Sequence, residues 1–176
     1  MRLNVEDIAP DFSADSWDGP AISLASLRGH NVWLGFYRYA SCPLCNMRIQ
    51  EVIRRSDALS AGGLKLLAVF QSPADSIADY VGRQSPPFPL LSDPTETLYK
   101  AYGLGASSLG FLAPQNGILL AKAASLGFIP GRMEGTKTRV PGDFLIDEEG
   151  VLRDVFYGKI ISDHIPMSRV EQFLQC

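Results

Sequence analysis

Two cysteines stand one helical turn apart in the stretch Cys42-Pro43-Leu44-Cys45. Pro43 suits the first position of a helix, where a missing N–H costs nothing, so Cys42 falls at the helix cap. The free N–H groups of Leu44 and Cys45 then point at the Cys42 sulfur and favour its thiolate. Because the thiolate is the nucleophilic form of cysteine, the pair predicts reversible dithiol–disulfide chemistry.

The flanking residues predict different roles for the two cysteines. A buried strand over 32–37 leads into the motif, and the apolar residues that follow have helical spacing until Gly62-Gly63. Cys45 shares the apolar face of this helix with Ile49 and Val52. We therefore expect an exposed, attacking Cys42 and a sheltered, resolving Cys45.

A zinc site is the competing interpretation of the cysteine pair. A structural zinc ion needs four ligands, usually with a second closely spaced pair. The remaining soft candidates, His30, His164 and Cys176, are scattered along the chain. Redox chemistry is therefore the favoured interpretation, and neither a metal nor an organic cofactor is expected.

Length and composition indicate one globular domain over residues 1–176. The chain has 20% charged and 46% hydrophobic residues, with a net charge of −3. That charge gives no reason to expect a nucleic acid or a membrane as partner. The N-terminus has no apolar signal core, and three cysteines do not form a secreted disulfide framework. A cytoplasmic location is the expectation.

Strand-like and helix-like segments alternate, which predicts an α/β layered fold. An irregular loop over 127–138 and a hairpin turn at 147–150 come late in the chain. The further predicted elements are a strand over 64–70, a helix over 73–84, a short strand at 90–91, a helix over 95–102, a short helix over 115–124 and a last apolar-faced helix around 167–174.

Four stretches resemble the alkyl hydroperoxide reductase / thiol-specific antioxidant family, the peroxiredoxin-like branch of the thioredoxin fold. They are Ile8-Ala9-Pro10-Asp11-Phe12, the leader 22–29, the middle segment 88–94 with Ala101-Tyr102-Gly103, and the final hairpin from Pro141 to Arg153. The resemblance implies a thioredoxin-like fold with a central mixed sheet and helices on both faces. It also implies an N-terminal extension and an insertion before the final hairpin.

The resemblance also implies a substrate-binding role for residues around the dithiol. Val140-Pro141 occupies the place of the fold's cis proline, and the Val140 backbone would pair with an incoming substrate. We therefore expect a cis peptide bond before Pro141. Tyr39 adjoins the thiol and is expected to line the pocket.

The chain departs from the family motif Pro-x-x-x-Thr-x-x-Cys. Aligned on Phe36-Tyr37, Arg38 stands at the proline, Cys42 at the threonine and Cys45 at the peroxidatic cysteine. This leaves two interpretations, in which either Cys42 or Cys45 attacks the peroxide. The family's arginine beside the cysteine has three substitutes by proximity, which are otherwise ordinary surface or packing arginines: Arg38, Arg48 and Arg139.

Two function classes follow from these observations. In the first, the protein is an oxidoreductase that cycles a Cys42–Cys45 disulfide, reduces disulfides or hydroperoxides and is restored by a thioredoxin- or glutathione-type reductant. In the second, it is a redox-responsive binding protein, in which oxidation changes the surface from Gly127 to Arg139. A homodimer is one expected assembly.

Overall fold

A mixed sheet forms the centre of the computed structural model, which describes residues 1–175 and leaves Cys176 outside the described residues. The strands in chain order are β1 (Ser13–Ser16), β2 (Ile22–Ser23), β3 (Asn31–Phe36), β4 (Leu64–Phe70), β5 (Leu90–Ser92), β6 (Gly142–Ile146) and β7 (Leu152–Tyr157). Their order across the sheet is β2-β1-β5-β4-β3-β6-β7. β4 pairs in parallel with β3 and β5, and the other pairs are antiparallel. The predicted mixed sheet is confirmed.

Helices cover both faces of this sheet, as predicted. They are α1 (Pro43–Ala61), α2 (Ala74–Asp79), α3 (Thr97–Ala101), α4 (Ser108–Phe111), α5 (Pro114–Ser125) and α6 (Met167–Phe173). One core cluster joins Trp33 of β3 to Ile49 of α1, and the other joins Leu34 of β3 to Leu98 of α3. Within the described residues, no helix has the length and apolar character needed to cross a membrane.

β3 delivers the cysteine pair to the edge of the sheet. Its residues alternate between the two core clusters, which explains the continuous apolar run in the sequence. After Phe36 the chain stays bonded to β4, because the Tyr37 N–H donates to the Val69 carbonyl at 2.9 Å. A short turn then leads to Cys42 and α1. The cysteines therefore lie at the carboxyl ends of two buried parallel strands.

The predicted helix over 73–84 is two shorter elements. α2 ends at Asp79, and a 3-10 helix follows at Val81–Gln84. Gly82 lies where a Cβ would be 2.8 Å from the Ile77 carbonyl oxygen and 3.1 Å from the Trp17 ring. Close packing against Trp17 thus accompanies a break that the helical pattern does not reveal. The helix predicted over 115–124 is confirmed as α5, and residues 127–138 contain neither helix nor strand.

The predicted cis bond before Pro141 is wrong, since the Val140–Pro141 peptide bond is trans. The trans form of such a bond is favoured by about 0.5–1 kcal/mol, so a cis form needs compensating contacts. In this structure the residues on both sides of the trans peptide bond form backbone hydrogen bonds. The Val140 N–H donates to the Gly105 carbonyl at 3.3 Å, and the Pro141 carbonyl accepts from Gly158 at 2.9 Å.

Asp143 of β6 is a fully buried carboxylate that ties β3 to the segment before α6. It accepts hydrogen bonds from Trp33 Nε1 at 3.0 Å and from the Ile165 N–H at 2.9 Å, and it contacts His164 Nδ1 at 3.3 Å. Asp143→Ala should lower the free energy of unfolding in urea by about 3 kcal/mol, because it leaves buried donors unsatisfied.

Asp154→Ala on the neighbouring strand is the matched control for this prediction. Asp154 forms a partly exposed ion pair with Arg169, so its loss should cost less than about 1 kcal/mol. Equal losses in the two variants would contradict the role given to Asp143.

Candidate dithiol site

Cys42 and Cys45 are both reduced and both buried, each with 1% of its surface exposed. The sheltered position expected for Cys45 is confirmed. The exposed position expected for Cys42 is wrong, because Cys42 belongs to a core cluster with Tyr39 and Leu44. Residues 127–138, called here the covering loop, also pack against the start of α1. The Ser41 hydroxyl donates to the Arg132 carbonyl of this loop at 2.7 Å.

The predicted position of Cys42 at the helix cap is confirmed. Cys42 is the N-cap of α1 with an extended backbone, and Pro43 occupies the first turn. The side chain of Asn46 fixes this turn from within the helix, because its amide donates to the carbonyls of Ala40 at 2.7 Å and Cys42 at 3.0 Å. The sulfur of Cys42 is therefore held on a rigid helix start.

Arg38 is the cation at the dithiol. Its Nη1 lies 3.4 Å from the Cys42 sulfur, and its backbone N–H donates to the Cys45 sulfur at 3.4 Å. The guanidinium is buried and lies over the rings of Tyr39 and Phe111, at 4.9 and 5.5 Å from their centroids. Arg38 thus provides a positive charge next to the sulfur in a nearly dry site.

The two cysteines have opposite acidities. Burial raises the pKa of Cys42, but the hydrogen bond from Cys45, the Arg38 charge and the backbone N–H groups of Cys45 and Leu44 outweigh it and lower the pKa to about 6. Burial raises the pKa of Cys45 well above its usual range, and the hydrogen bond and charge of Cys42 raise it further. Cys42 is therefore the thiolate at neutral pH, and Cys45 is the thiol.

This difference predicts the pH dependence of the site. The ultraviolet absorbance of thiolate in the reduced protein should rise in one step centred near pH 6, since Cys42 carries its charge above a pKa of about 6. The Cys42→Ser variant should lack this step up to about pH 8, near the pKa of an ordinary free thiol. A step that persists in Cys42→Ser and disappears in Cys45→Ser would reverse the assignment.

The other two candidate arginines have partners away from the dithiol. Arg139 pairs with Glu96 and donates through Nη1 to the Leu104 carbonyl at 2.7 Å. Arg48 pairs with Glu51 at 2.7 Å and donates to the Ile165 carbonyl at 2.7 Å. Both act as packing residues in this arrangement.

The candidate substrate-binding residues are buried. Tyr39 is 4% exposed, and burial raises the pKa of its hydroxyl to about 12. Val140 is 4% exposed, and its N–H is already bonded to Gly105. A substrate contact by Tyr39, Val140 or Pro141 stays a prediction.

Sequence reasoning missed the part of the site supplied by the covering loop. Arg38 Nη2 donates to the Lys137 carbonyl at 2.6 Å, so this loop shares the guanidinium with Cys42. The acceptor is a backbone carbonyl, a group that every residue carries. No residue type or spacing could have indicated it.

The family assignment rests on most of the chain. A sequence model described as the AhpC/TSA family matches residues 5–155. The chain belongs to the AhpC/TSA family. This family member is 32% identical over 102 residues to a putative peroxiredoxin of Mycobacterium tuberculosis, a match that covers 58% of this chain and 65% of that relative. It is 27% identical over 165 residues to a putative peroxiredoxin of Coxiella burnetii, covering 94% of this chain and 95% of the relative.

Solved structures confirm the predicted thioredoxin-like fold of this AhpC/TSA family member. The crystal structure of peroxidoxin BcpB from Mycobacterium tuberculosis aligns with a TM-score of 0.73 and 18% identity, over 99% of this chain and 97% of that one. A putative thiol:disulfide interchange protein DsbE from Chlorobium tepidum aligns with a TM-score of 0.66 and 18% identity, over 98% and 96%.

Proposed function

We propose that this AhpC/TSA family member is a thiol-dependent peroxidase in which Cys42 attacks the hydroperoxide and Cys45 resolves the product. The opposite acidities of the two buried sulfurs carry the proposal, because they make Cys42 the thiolate at neutral pH. The contact between Arg38 and the Cys42 sulfur supports it by stabilising negative charge at the reacting atom.

The reaction proceeds in two covalent steps. The Cys42 thiolate attacks one peroxide oxygen, the O–O bond breaks, and the other oxygen leaves as an alcohol or water after taking a proton. Cys42 is then a sulfenic acid. The Cys45 sulfur attacks it, water leaves, and the Cys42–Cys45 disulfide forms. An external dithiol, oxidised in exchange, restores the reduced pair.

Oxidation of Cys42 itself activates Cys45 for the second step. In the reduced protein, the charge and hydrogen bond of Cys42 are among the causes that raise the pKa of Cys45. Conversion of Cys42 to a neutral sulfenic acid removes that charge. Cys45 then loses its proton more readily, so the resolving thiolate is formed only after the first step has occurred.

Burial favours a peroxide over a protein disulfide as the oxidising substrate. With 1% of each sulfur-bearing residue exposed, a protein disulfide has no access to Cys42 in this conformation, whereas a small hydroperoxide needs little space. The mycobacterial and Coxiella relatives are both named putative peroxiredoxins, which supports the same class. Disulfide exchange remains the step by which a thioredoxin-type dithiol reductant restores the site.

The deciding experiment measures the rate constant for the reaction of the fully reduced protein with hydrogen peroxide at pH 7. The value is compared with the rate constant of glutathione under the same conditions. A pKa near 6 instead of about 8.5 raises the thiolate fraction roughly 30-fold. Nucleophilicity falls with pKa, however, and this offsets about tenfold of that gain. Acidity alone therefore explains only about a threefold advantage.

A peroxidase should exceed that threefold advantage by orders of magnitude, because Arg38 also stabilises the charge that develops in the transition state. A rate within about threefold of the free thiol would overturn the proposed peroxidase. The interpretation left would be a redox-responsive binding protein. Equal affinity of a partner for the reduced and disulfide forms would rule out that interpretation as well.

We further propose a cytoplasmic location and a homodimer. A reducing compartment supplies the dithiol that the cycle requires. Exposed apolar side chains near α5, such as Leu112 and Ile118, support self-association. Sedimentation velocity tests the dimer, and a monomer at micromolar concentration would contradict it. Fractionation of cells from the source organism tests the location.

A further inference from the structure

The covering loop lies directly on the residue that precedes Cys42. Besides the bond from Ser41 to the Arg132 carbonyl, the loop packs tightly at Gly131. A Cβ on Gly131 would lie 2.7 Å from the Tyr80 hydroxyl oxygen and 2.8 Å from the Ser41 Cβ. Because Cys42 and Cys45 are each 1% exposed, a large molecule can reach the sulfurs only if a segment packed next to them moves, and the covering loop is such a segment.

The covering loop is attached mainly by side chains and can therefore open without disrupting the sheet. Within the described part of the chain, residues 129–135 make no backbone–backbone hydrogen bond. Their attachments include Ser76 Oγ donating to Glu134 at 2.5 Å. Just beyond them, the Thr136 N–H donates to Glu96 at 2.7 Å. Segments held by few such bonds open locally well below the free energy of global unfolding.

Arg38 joins the covering loop to the charge state of the dithiol. One guanidinium nitrogen lies on the Cys42 sulfur and another donates to the Lys137 carbonyl of the loop. The residue is 2% exposed, and its Nε is buried without a hydrogen-bond partner. A cation in such a site is strongly disfavoured unless an anion lies beside it, and the Cys42 thiolate supplies that anion.

We propose that the covering loop is a redox-operated gate that determines which molecules reach the site. Over the reduced dithiol it is closed and admits small hydroperoxides; over the Cys42–Cys45 disulfide it opens and admits a protein dithiol reductant. Attack on the peroxide converts the thiolate to a neutral sulfenic acid, and disulfide formation then releases water. Over the neutral disulfide Arg38 has no counter-charge and turns toward solvent. Its bond to the Lys137 carbonyl is then lost. This inference rests on the proposed disulfide cycle and adds the order in which substrate and reductant enter.

Limited proteolysis with trypsin tests the gate, since Arg132 and Lys137 place two cleavage sites in the covering loop. The reduced protein is compared with protein whose disulfide is formed by diamide and verified by mass. Cleavage after Arg132 should be at least about fivefold faster in the disulfide form, because cleavage reports the open population. Cleavage after Arg28, in the turn at the opposite end of β3, is the internal reference. Equal rates in the two forms would overturn the gate.

Two variants separate the gate from a general loss of stability. Cys42→Ser lacks the thiolate, so its loop should be cleaved at the rate of the wild-type disulfide form under reducing conditions and should not respond to diamide. Gly131→Ala leaves both sulfurs in place, but its methyl group meets Ser41 and Tyr80, so the reduced form should already be cleaved faster. Slow cleavage of reduced Cys42→Ser would refute the role of the thiolate.

The gate and the peroxidase fail separately in this design. Diamide forms the disulfide whether or not peroxide reacts quickly. A fast reaction with peroxide and an unchanged cleavage rate would remove the gate alone. A slow reaction with peroxide and a redox-dependent cleavage rate would remove the peroxidase and retain the gate.

Discussion

Replacement of Cys42 by serine is expected to reduce the rate of peroxide reduction at pH 7 by at least about 10³-fold, to the level of a buried thiol. The reason is that Cys42 is the only one of the two described cysteines whose pKa is lowered, to about 6. Removal of an attacking nucleophile commonly costs several orders of magnitude in rate. Stopped-flow measurement of peroxide loss with fully reduced protein gives the value.

Cys45→Ser is the matched control, because it removes the neighbouring sulfur and keeps the attacking one. The first oxidation should remain fast, whereas the disulfide can no longer form between the two positions. A sulfenic acid should therefore accumulate at Cys42 and be trapped by dimedone. If Cys45→Ser is the inactive variant and Cys42→Ser stays fast, Cys45 is the peroxidatic residue, as in the alternative alignment.

Arg38→Met is expected to slow the reaction with peroxide by about 10- to 100-fold at pH 7. Loss of thiolate accounts for about 2- to 10-fold of this, and loss of transition-state stabilisation accounts for the rest. A hydrogen bond to a charged group contributes about 1.5–3 kcal/mol, which corresponds to one to two pKa units at Cys42. Arg38 makes such a contact with the Cys42 sulfur. Burial raises the pKa of Cys42, and the Arg38→Met variant has fewer interactions that oppose this effect. The titration of the Cys42 thiolate should move upward in the variant.

The pH profile distinguishes an electrostatic from a structural role for Arg38. Above the new pKa, the thiolate is fully formed again, so the rate of Arg38→Met should recover part of its loss by about pH 9. Arg48→Met is the control, since Arg48 is paired with Glu51 and should leave the titration of Cys42 unchanged. A loss in Arg38→Met that is the same at every pH would contradict the proposed effect on acidity.

Much of the fold was predictable because local sequence patterns indicate which strands and helices are buried. β3 lies between two core clusters and reads as an uninterrupted apolar run, and α1 combines a proline start with helical apolar spacing. The break within residues 73–84 was not predictable. It accompanies the packing of Gly82 against Trp17, which is 65 positions earlier in the chain. Such contacts leave no local signal.

The identity of the two reacting cysteines was predictable from the sequence. The burial of Cys42 and the choice of arginine beside it were not. The cap position of Cys42 follows from Pro43, and the burial of Cys45 follows from its helical face. The choice of Arg38 over Arg48 and Arg139 depends on tertiary contacts, since all three were near the site by sequence reasoning alone. The contact of the covering loop next to Cys42, the Ser41–Arg132 hydrogen bond, joins residues 91 positions apart, so no local pattern indicates it.

The hydrogen bond from the Cys45 thiol to the Cys42 thiolate also bears on durability under oxidant stress. A sulfenic acid becomes irreversibly overoxidised when a second peroxide reaches it before a thiol does. Here Cys45 is already in place one helical turn away, and well-oriented intramolecular partners act at effective concentrations of roughly 10⁵ M or more. Millimolar peroxide cannot compete at that ratio. The protein should therefore survive many turnovers in excess peroxide without accumulating sulfinic acid, and its lifetime should depend on the supply of reductant.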